Sequence, residues 1–393
     1  MKSIAYRMDL AARLHESKGS LYLARYLREQ KYVLDRITSG KPYISNTFYV
    51  PGEICRLFDV EVVYSERLAG FASASGMLTE NRLEHAACEA IGCACSYQLA
   101  FDCLLRDKLI PLPDLFIAMS YVCDDTWKYY HRVSKKEGIP LLSINTGTDV
   151  QYLGKQLKEA YEWLGERYKQ VRSIEEVVGT SNRTMDMKRQ IDGFRLKYPG
   201  ILSSTDAFKL FTLYNDMGND YACGILNRLK QEISEKTCTY RLPHGPRILW
   251  LGLVPLYDIG LIERIEKKYK CKIVYEELFD FIDVQISIPD FFTDLANRIF
   301  SSVYYSASNR LRAILWYIDA LKVDGIVHFT QRNCVFLPSM LPLMRNELAK
   351  IDIPFVEVSG DVVNPGYFDE NSLRDLMDAF FASINEKNKK KYS

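Results

Sequence analysis

The chain has 393 residues, more than one hydrophobic core usually supports, so two packed domains are expected. Its 51 basic residues nearly balance its 50 acidic ones, which leaves no electrostatic field that would gather nucleic acid or anionic lipid. No apolar run approaches the roughly eighteen residues of a membrane span, and charges are spread through the N-terminal twenty or so residues, where a signal peptide would be apolar. We therefore expect a cytoplasmic protein that binds neither nucleic acid nor membrane.

The first 150 residues alternate helical and strand patterns. Apolar residues at helical spacing predict a leading helix over residues 1–38, and a short helix is predicted after Pro51. Runs of apolar and β-branched residues predict strands over 60–64, 114–119 and 139–144. This alternation is typical of a doubly wound α/β domain that ends near residue 150.

A helical stretch separates this domain from a second one. Residues 151–240 show helical spacing and no convincing strand. Further strands are predicted over 247–252, 271–275, 325–329 and 354–358, with helices between them. The predicted fold is therefore α/β, with two doubly wound, Rossmann- or flavodoxin-like parallel-sheet domains at 1–150 and 241–393 and an intervening helical segment.

Cysteine is concentrated in one part of the chain. Residues 85–103 contain four of the ten cysteines, namely Cys88, Cys93, Cys95 and Cys103. The pattern of this stretch is helical and puts Cys88 and Cys95 on one face. A long chain without a secretory signal is expected to keep its thiols reduced. Such thiols are either buried small hydrophobic residues or ligands of a soft metal.

Several reactive side chains lie in or after predicted strands. Cys123 and Cys334 lie just beyond two of these strands, at the end where ligands are commonly presented. Glu66 follows the first predicted strand and is either a solvated loop acid or a buried carboxylate that exchanges a proton with a substrate. His328 lies inside an apolar run, which favours a hydrogen-bonded core histidine over a residue of the site.

The order of motifs over nearly the whole chain resembles the 2-hydroxyacyl-CoA dehydratase and benzoyl-CoA reductase family. The motifs are Pro51-Gly52-Glu53-Ile54, Cys95-Ser96-Tyr97, Cys123-Asp124, Arg332-x-Cys334 and Gly360-Asp361. In that family three cysteines in these contexts hold one [4Fe-4S] cluster, so the resemblance implies that Cys95, Cys123 and Cys334 bind the cofactor as metal ligands. Three thiolates leave one iron open. Family members also carry a glutamate ahead of the Cys-Ser-Tyr motif, which makes Glu66 a candidate catalytic acid or base.

The resemblance also implies a reaction and its partners. A radical 2-hydroxyacyl-CoA dehydratase removes water from an (R)-2-hydroxyacyl-CoA to give an enoyl-CoA. One low-potential electron on the thioester carbonyl makes the β hydrogen acidic, and the electron is returned later. The family works with a related second subunit and a separate ATP-dependent iron-sulfur activator. No P-loop motif occurs in this chain, so it is not expected to hydrolyse ATP itself.

Three other functions are compatible with the same motifs. They are a subunit of an aromatic acyl-CoA reductase, a relay subunit that passes electrons without binding substrate, and a double-cubane reductase that uses more thiols. Cys88, Cys93 and Cys103 keep the last of these open. No pattern in the sequence predicts which residues contact CoA or the acyl group.

Overall fold

The computed structural model describes residues 2–89, 95–279 and 284–392. Eight strands in this part of the chain form two four-stranded sheets. The strands are β1 (Tyr43–Asn46), β2 (Glu61–Tyr64), β3 (Leu115–Met119), β4 (Leu141–Ile144), β5 (Arg247–Gly252), β6 (Lys272–Glu276), β7 (Gly325–Gln331) and β8 (Phe355–Gly360). Most of their side chains are buried, as is typical of parallel sheets flanked by helices.

Both sheets are parallel and have the same strand order. The first sheet runs β2-β1-β3-β4 and the second runs β6-β5-β7-β8. In each sheet the chain starts at an inner strand, moves to one edge and then continues on the other side of its starting strand. This is the flavodoxin-like, doubly wound arrangement, and it confirms the predicted fold class.

The inner strand β1 is not predicted by the sequence pattern. Ser45 and Asn46 interrupt its apolar character, yet both residues are fully buried. Ser45 Oγ lies 3.0 Å from the Tyr130 hydroxyl oxygen, and the same hydroxyl lies 3.0 Å from the Asn46 carbonyl oxygen that it can donate to. A tyrosine far away in sequence therefore satisfies polar groups that would otherwise disfavour a buried strand.

Seven helices accompany the first sheet. They are α1 (Lys2–Ser17), α2 (Leu21–Thr38), α3 (Gly52–Cys55), α4 (Ser65–Ala74), α5 (Glu80–Glu89), α6 (Ser96–Arg106) and α7 (Asp124–Glu137). The prediction of one leading helix over 1–38 is wrong, because this region forms two helices. Gly19 lies between them with φ +78°, a left-handed conformation that follows the end of α1. The short helix predicted after Pro51 is confirmed as α3.

The cysteine-rich stretch is not one continuous helix either. Cys88 lies in the last turn of α5 and is exposed. Cys95 immediately precedes α6 and has extended backbone angles, φ −63° and ψ 140°. The prediction that Cys88 and Cys95 share one helix face is therefore wrong, and Cys93 lies outside the described residues.

Helices also fill the segment between the sheets, as predicted, and occur between and after the strands of the second sheet in sequence. The first set is α8 (Val150–Gly165), α9 (Ile174–Lys197), α10 (Ser204–Leu210) and α11 (Asp220–Thr237). The second set is α12 (Leu261–Tyr269), α13 (Phe291–Phe300), α14 (Ala307–Leu321), α15 (Phe336–Ser339), α16 (Leu341–Lys350) and α17 (Glu370–Tyr392). Across the described ranges, none of the helices is both long and apolar enough to cross a membrane.

The two sheets share a hydrophobic core. One buried apolar cluster contains Phe116 of β3, Trp250 of β5 and Val327 of β7. The two sheets therefore pack against a common core. The domain boundaries near residues 150 and 240 stay a prediction.

Candidate active site

A cavity lies where the carboxyl ends of the two sheets meet. Residues that follow four inner strands line it, namely Thr47 after β1, Cys123 after β3, Leu253 after β5 and Cys334 after β7. The chain reverses its direction across the first sheet between β1 and β3, and across the second between β5 and β7. Doubly wound proteins bind their ligands at such switch points.

Three thiols line this cavity, and each comes from a different loop. Cys95 directly precedes α6, Cys123 directly precedes α7, and Cys334 lies shortly before α15. Each cysteine is partly accessible, as expected for a group that faces a cavity. The three residues implied by the family resemblance are therefore brought together from both sheets.

Hydrogen bonds join the two cysteine loops of the first sheet. The backbone N–H of Cys95 donates to Asp125 Oδ2 over 2.8 Å, and Gln98 Nε2 donates to Thr126 Oγ1 over 2.7 Å. Both bonds connect the start of α6 to the first turn of α7. They consequently set the position of Cys95 relative to Cys123.

Gln331, the last residue of β7, connects the second sheet to the Cys95 loop. Its Nε2 donates to Ser96 Oγ over 3.0 Å and to Asp361 Oδ2 over 3.2 Å. Its Oε1 accepts the backbone N–H of Val362 over 2.7 Å. Ser96 and Asp361 belong to the family motifs, and Gln331, which lines the cavity, hydrogen-bonds with both; its bond to Ser96 connects the second sheet to the first domain's Cys95 loop.

Burial determines the protonation of the three thiols. Desolvation raises the pKa of Cys95 well above its usual value, and the nearby Cys123 and Cys334 raise it further. Burial is also the largest cause of the raised pKa of Cys123 and of Cys334. The raised pKa values favour the protonated thiols at neutral pH, so a metal that bound these cysteines would have to displace their protons.

This set of donors has the chemistry of a soft-metal or iron-sulfur site, because its members are cysteine thiols. Thiolates that share one ion at bond lengths of about 2.3 Å must place their sulfur atoms roughly 4 Å apart. Within the described ranges, no group of three or more His, Cys, Asp or Glu residues is arranged to hold a metal ion. A cluster takes one thiolate per iron, so its cysteine ligands lie farther apart than those of a single ion, and the three cysteines of this lining are ligands of the type it takes.

Glu66 lies in the first turn of α4 and lines the same cavity. Ser65 Oγ donates to Glu66 Oε2 over 2.9 Å, and the Phe48 backbone and the Gln98 side chain also hydrogen-bond to the carboxylate. Burial outweighs these bonds and raises the pKa of the Glu66 carboxyl. Glu66 therefore lies in a helix and faces a cavity, an environment typical of a group that gives or takes a proton, and its catalytic role stays a prediction.

An aromatic wall, formed by Phe48, Tyr49, Tyr121 and Phe211, provides much of the remaining lining. Ring centroids are 5.0 Å apart for Phe48 and Tyr49, 5.6 Å for Phe48 and Phe211, and 5.1 Å for Tyr49 and Tyr121. Sequence patterns did not mark these residues, because Phe48 and Tyr49 follow the unpredicted β1 and Phe211 comes from the helical segment. Recognising β1 would have placed two of them at a strand end.

Other candidates from the sequence lie outside the lining. Cys103 is buried, and its thiol donates to the Arg82 carbonyl oxygen over 3.3 Å, so it faces the core. His328 is fully buried in β7, where its ring nitrogens lie 3.1 Å from Arg310 Nη2 and 3.0 Å from Thr330 Oγ1. These contacts confirm the interpretation of His328 as a hydrogen-bonded core residue.

Comparison with known families identifies relatives of this chain. A family model described as 2-hydroxyglutaryl-CoA dehydratase, D-component, matches residues 47–384, which is most of the chain. The chain belongs to this family. The match spans Glu66 and the three cavity cysteines of the D-component chain.

Curated relatives of this D-component chain are alpha subunits of dehydratases, which are lyases. The (R)-phenyllactyl-CoA dehydratase alpha subunit of Clostridium sporogenes is 26% identical over 81% of this chain and 84% of the relative. The (R)-2-hydroxyisocaproyl-CoA dehydratase alpha subunit of Clostridioides difficile is 20% identical over 89% and 92%. The alpha subunit of (R)-2-hydroxyglutaryl-CoA dehydratase from Acidaminococcus fermentans is 22% identical over 72% and 64%. All three relatives are named as subunits of acyl-CoA dehydratases, and their names differ in the acyl group.

Proposed function

We propose that this chain is the cluster-bearing, substrate-holding subunit of a radical 2-hydroxyacyl-CoA dehydratase. One observation carries the proposal, namely that three thiols from both sheets and the carboxyl of Glu66 line a single cavity. A [4Fe-4S] cluster held by Cys95, Cys123 and Cys334 would supply a low-potential electron and a Lewis-acidic iron with an open position. The alpha-subunit names of the relatives support a second subunit, and the family resemblance adds an ATP-dependent activator.

In this proposal, residues of the chain transfer a proton and exclude water from the substrate. Glu66 exchanges a proton with the acyl group, because burial keeps its carboxyl closer to the balance between its two protonation states. The bond from Ser65 Oγ holds Glu66 Oε2 in place. The aromatic wall excludes water from this region, which protects a radical substrate from side reactions.

Metal content tests the cofactor. Protein purified without oxygen is expected to carry about four irons and about four sulfides per chain. About eight irons per chain would instead support the double-cubane reductase, and an iron-free protein that also resists reconstitution would contradict the proposal.

Electron balance separates the dehydratase from the aromatic acyl-CoA reductase. With its second subunit and activator, the dehydratase should turn over many molecules of 2-hydroxyacyl-CoA for each electron supplied, because the electron is returned. A reductase consumes electrons in proportion to its product. Stoichiometric consumption of the reductant would therefore contradict the dehydratase.

The role of Glu66 is tested by Glu66→Gln, which keeps the size of the side chain and removes the acid. We expect a fall in kcat of roughly 100-fold or more, with iron content and acyl-CoA affinity retained. Glu61→Gln is the matched control, since Glu61 lies on β2 and outside the cavity lining. Equal kcat values for the two variants would exclude Glu66 from proton transfer.

The cavity also favours a substrate-holding subunit over a relay subunit. A relay needs a cluster and no apolar surface for an acyl group, whereas here aromatic and aliphatic side chains share the cavity lining with the three thiols. Calorimetry with an acyl-CoA and the isolated, iron-loaded chain tests this point. Binding no tighter than that of free CoA would support the relay.

A further inference from the structure

We infer that the cavity selects 2-hydroxyacyl-CoA thioesters with an uncharged, apolar acyl side chain, aromatic or branched aliphatic, and rejects those that carry a second carboxylate. The inference rests on the proposed function, because it concerns the substrate of the same site. Family membership does not decide it, since the relatives are named for phenyllactyl, 2-hydroxyisocaproyl and 2-hydroxyglutaryl thioesters.

Apolar surface dominates the cavity beyond the thiols. The aromatic wall is continued by the side chains of Met119, Leu253, Leu278 and Leu337. The rings of the wall already contact one another at centroid distances of 5.0–5.6 Å. An apolar acyl group gains contact with these preformed surfaces without a need to reorder them.

A carboxylate on the acyl group finds no cation in this lining. Among the described residues, no Lys, Arg or His lines the cavity. Residues 90–94 and 280–283, which border the described lining in sequence, contain none of these residue types either. Glu66 adds a second acid, so a substrate carboxylate would be both unpaired and adjacent to a carboxyl.

One arginine, Arg310, lies behind a lining residue, but it is already paired with a buried acid. The guanidinium of Arg310 lies 6.0 Å from the ring centre of Tyr304, a lining residue, and is fully buried. It donates to both carboxylate oxygens of Glu277 over 2.5 and 2.8 Å. Turning Arg310 toward a substrate would leave the buried Glu277 without its partner.

Tyrosine hydroxyls of the lining do not replace a cation. A neutral tyrosine can donate a hydrogen bond, but it carries no charge to balance a carboxylate. Burial raises the pKa of Tyr49 well above its usual value. This part of the lining therefore disfavours negative charge.

Binding of unreactive acyl-CoA thioesters tests the inference without turnover. Calorimetry on the full-length, iron-loaded chain compares 3-phenylpropionyl-CoA, glutaryl-CoA and free CoA, none of which carries a 2-hydroxyl to eliminate. We expect 3-phenylpropionyl-CoA to bind at least roughly tenfold more tightly than glutaryl-CoA. Equal affinities, tighter binding of glutaryl-CoA, or no gain of either thioester over CoA would overturn the inference.

Phe211→Arg provides the converse test, with Phe211→Met as the control of similar length and no charge. The introduced guanidinium should shift the ratio of the two affinities toward glutaryl-CoA, and Phe211→Met should leave the preference for the apolar thioester in place. Melting temperatures of both variants check that the fold is retained. If a folded Phe211→Arg variant keeps the original ratio, the acyl group does not lie against this wall and the inference fails.

The outcomes also distinguish this inference from the proposed function. A preference for 3-phenylpropionyl-CoA in a chain whose assembled enzyme dehydrates no 2-hydroxyacyl-CoA would support the apolar site and refute the dehydratase. Dehydration of (R)-2-hydroxyglutaryl-CoA with a higher kcat/KM than (R)-phenyllactyl-CoA would support the dehydratase and refute the apolar selectivity.

Discussion

Cys95, Cys123 and Cys334 line the cavity, whereas the other cysteines that the structure describes do not. We expect Cys95→Ala, Cys123→Ala or Cys334→Ala each to remove most of the cluster, because two thiolates leave two irons without a protein ligand. Iron and sulfide analysis of protein reconstituted without oxygen measures the loss.

Three thiols outside the lining serve as controls for these variants. They are Cys55 and Cys271, which are buried, and Cys238, which is exposed. Their replacement by alanine should leave the iron content at the wild-type level. Full iron retention in Cys334→Ala would show that the second sheet does not contribute a ligand.

His328 should make the stability of the protein depend on pH. Burial, and then the charge of Arg310, holds the pKa of the His328 ring well below its usual value of about 6.5. Arg310 Nη2 donates to Nε2, so Nδ1 carries the proton and donates to Thr330 Oγ1. The folded protein therefore keeps this ring neutral at a pH where the unfolded chain takes up a proton.

This difference in proton uptake between the folded and the unfolded protein decides how stability changes with pH. The stability that depends on a neutral His328 is present above pH 6.5 and is lost as the pH falls below it, by at most about 1.4 kcal/mol per pH unit. His328→Gln should lower stability at pH 7.5 and make the decline between pH 6.5 and 5 shallower. Urea midpoints measured across this range test the prediction, and parallel pH profiles for both proteins would contradict it.

At the scale of single elements, the loops after the inner strands depend on backbone geometry that side chains cannot reproduce. Gly252 ends β5 just before the lining residue Leu253 and has φ +74°. A Cβ at this position would lie 2.5 Å from the Phe329 carbonyl oxygen of the neighbouring β7. Only glycine allows this turn and this close approach together.

Gly252→Ala should therefore destabilise the protein by more than the roughly 1–2 kcal/mol of left-handed strain alone. Gly138→Ala is the control, because Gly138 has a similar φ of +68° and no atom within 4 Å of the added Cβ. Chemical denaturation of the two variants should give a clearly larger loss for Gly252→Ala. Equal losses would mean that the contact with β7 relaxes without cost.

For the whole molecule, the proposed cluster connects two sheets that are far apart in sequence. Cys95 and Cys123 follow elements of the first sheet, and Cys334 follows β7 of the second. Ligands that hold a metal group in the folded state alone stabilise that state by the free energy of binding. The iron-loaded protein should consequently melt at a higher temperature than the iron-free protein and resist proteolysis in the loop near Pro243–Pro246.

The control is a variant with all three cysteines replaced by alanine. Its melting temperature should not respond to iron and sulfide, which excludes a general effect of the reconstitution conditions. Identical melting and proteolysis of the loaded and iron-free wild-type protein would show that the cluster does not bridge the sheets.

The sequence by itself determined the elements whose chemistry is local. Continuous apolar, β-branched runs predicted seven of the eight described strands, because strands buried on both faces need such residues. The positions of Cys123 and Cys334 after such runs, and of Glu66 after β2, followed from the same rule that ligands lie at the carboxyl ends of strands. The family motifs named Cys95, which the helical pattern of its stretch had misplaced.

Only the tertiary structure decided the features that depend on distant contacts. Strand β1 buries two polar residues, and the hydroxyl of the distant Tyr130 hydrogen-bonds with Ser45 Oγ and with the Asn46 carbonyl oxygen. The aromatic wall combines Phe48 with Phe211, and Gln331 contacts Ser96 across 235 positions of the chain. Local sequence patterns indicate the propensity and periodicity of single elements. These contacts form only when the two sheets pack against each other. The residues of the cavity lining could therefore not be derived from the sequence.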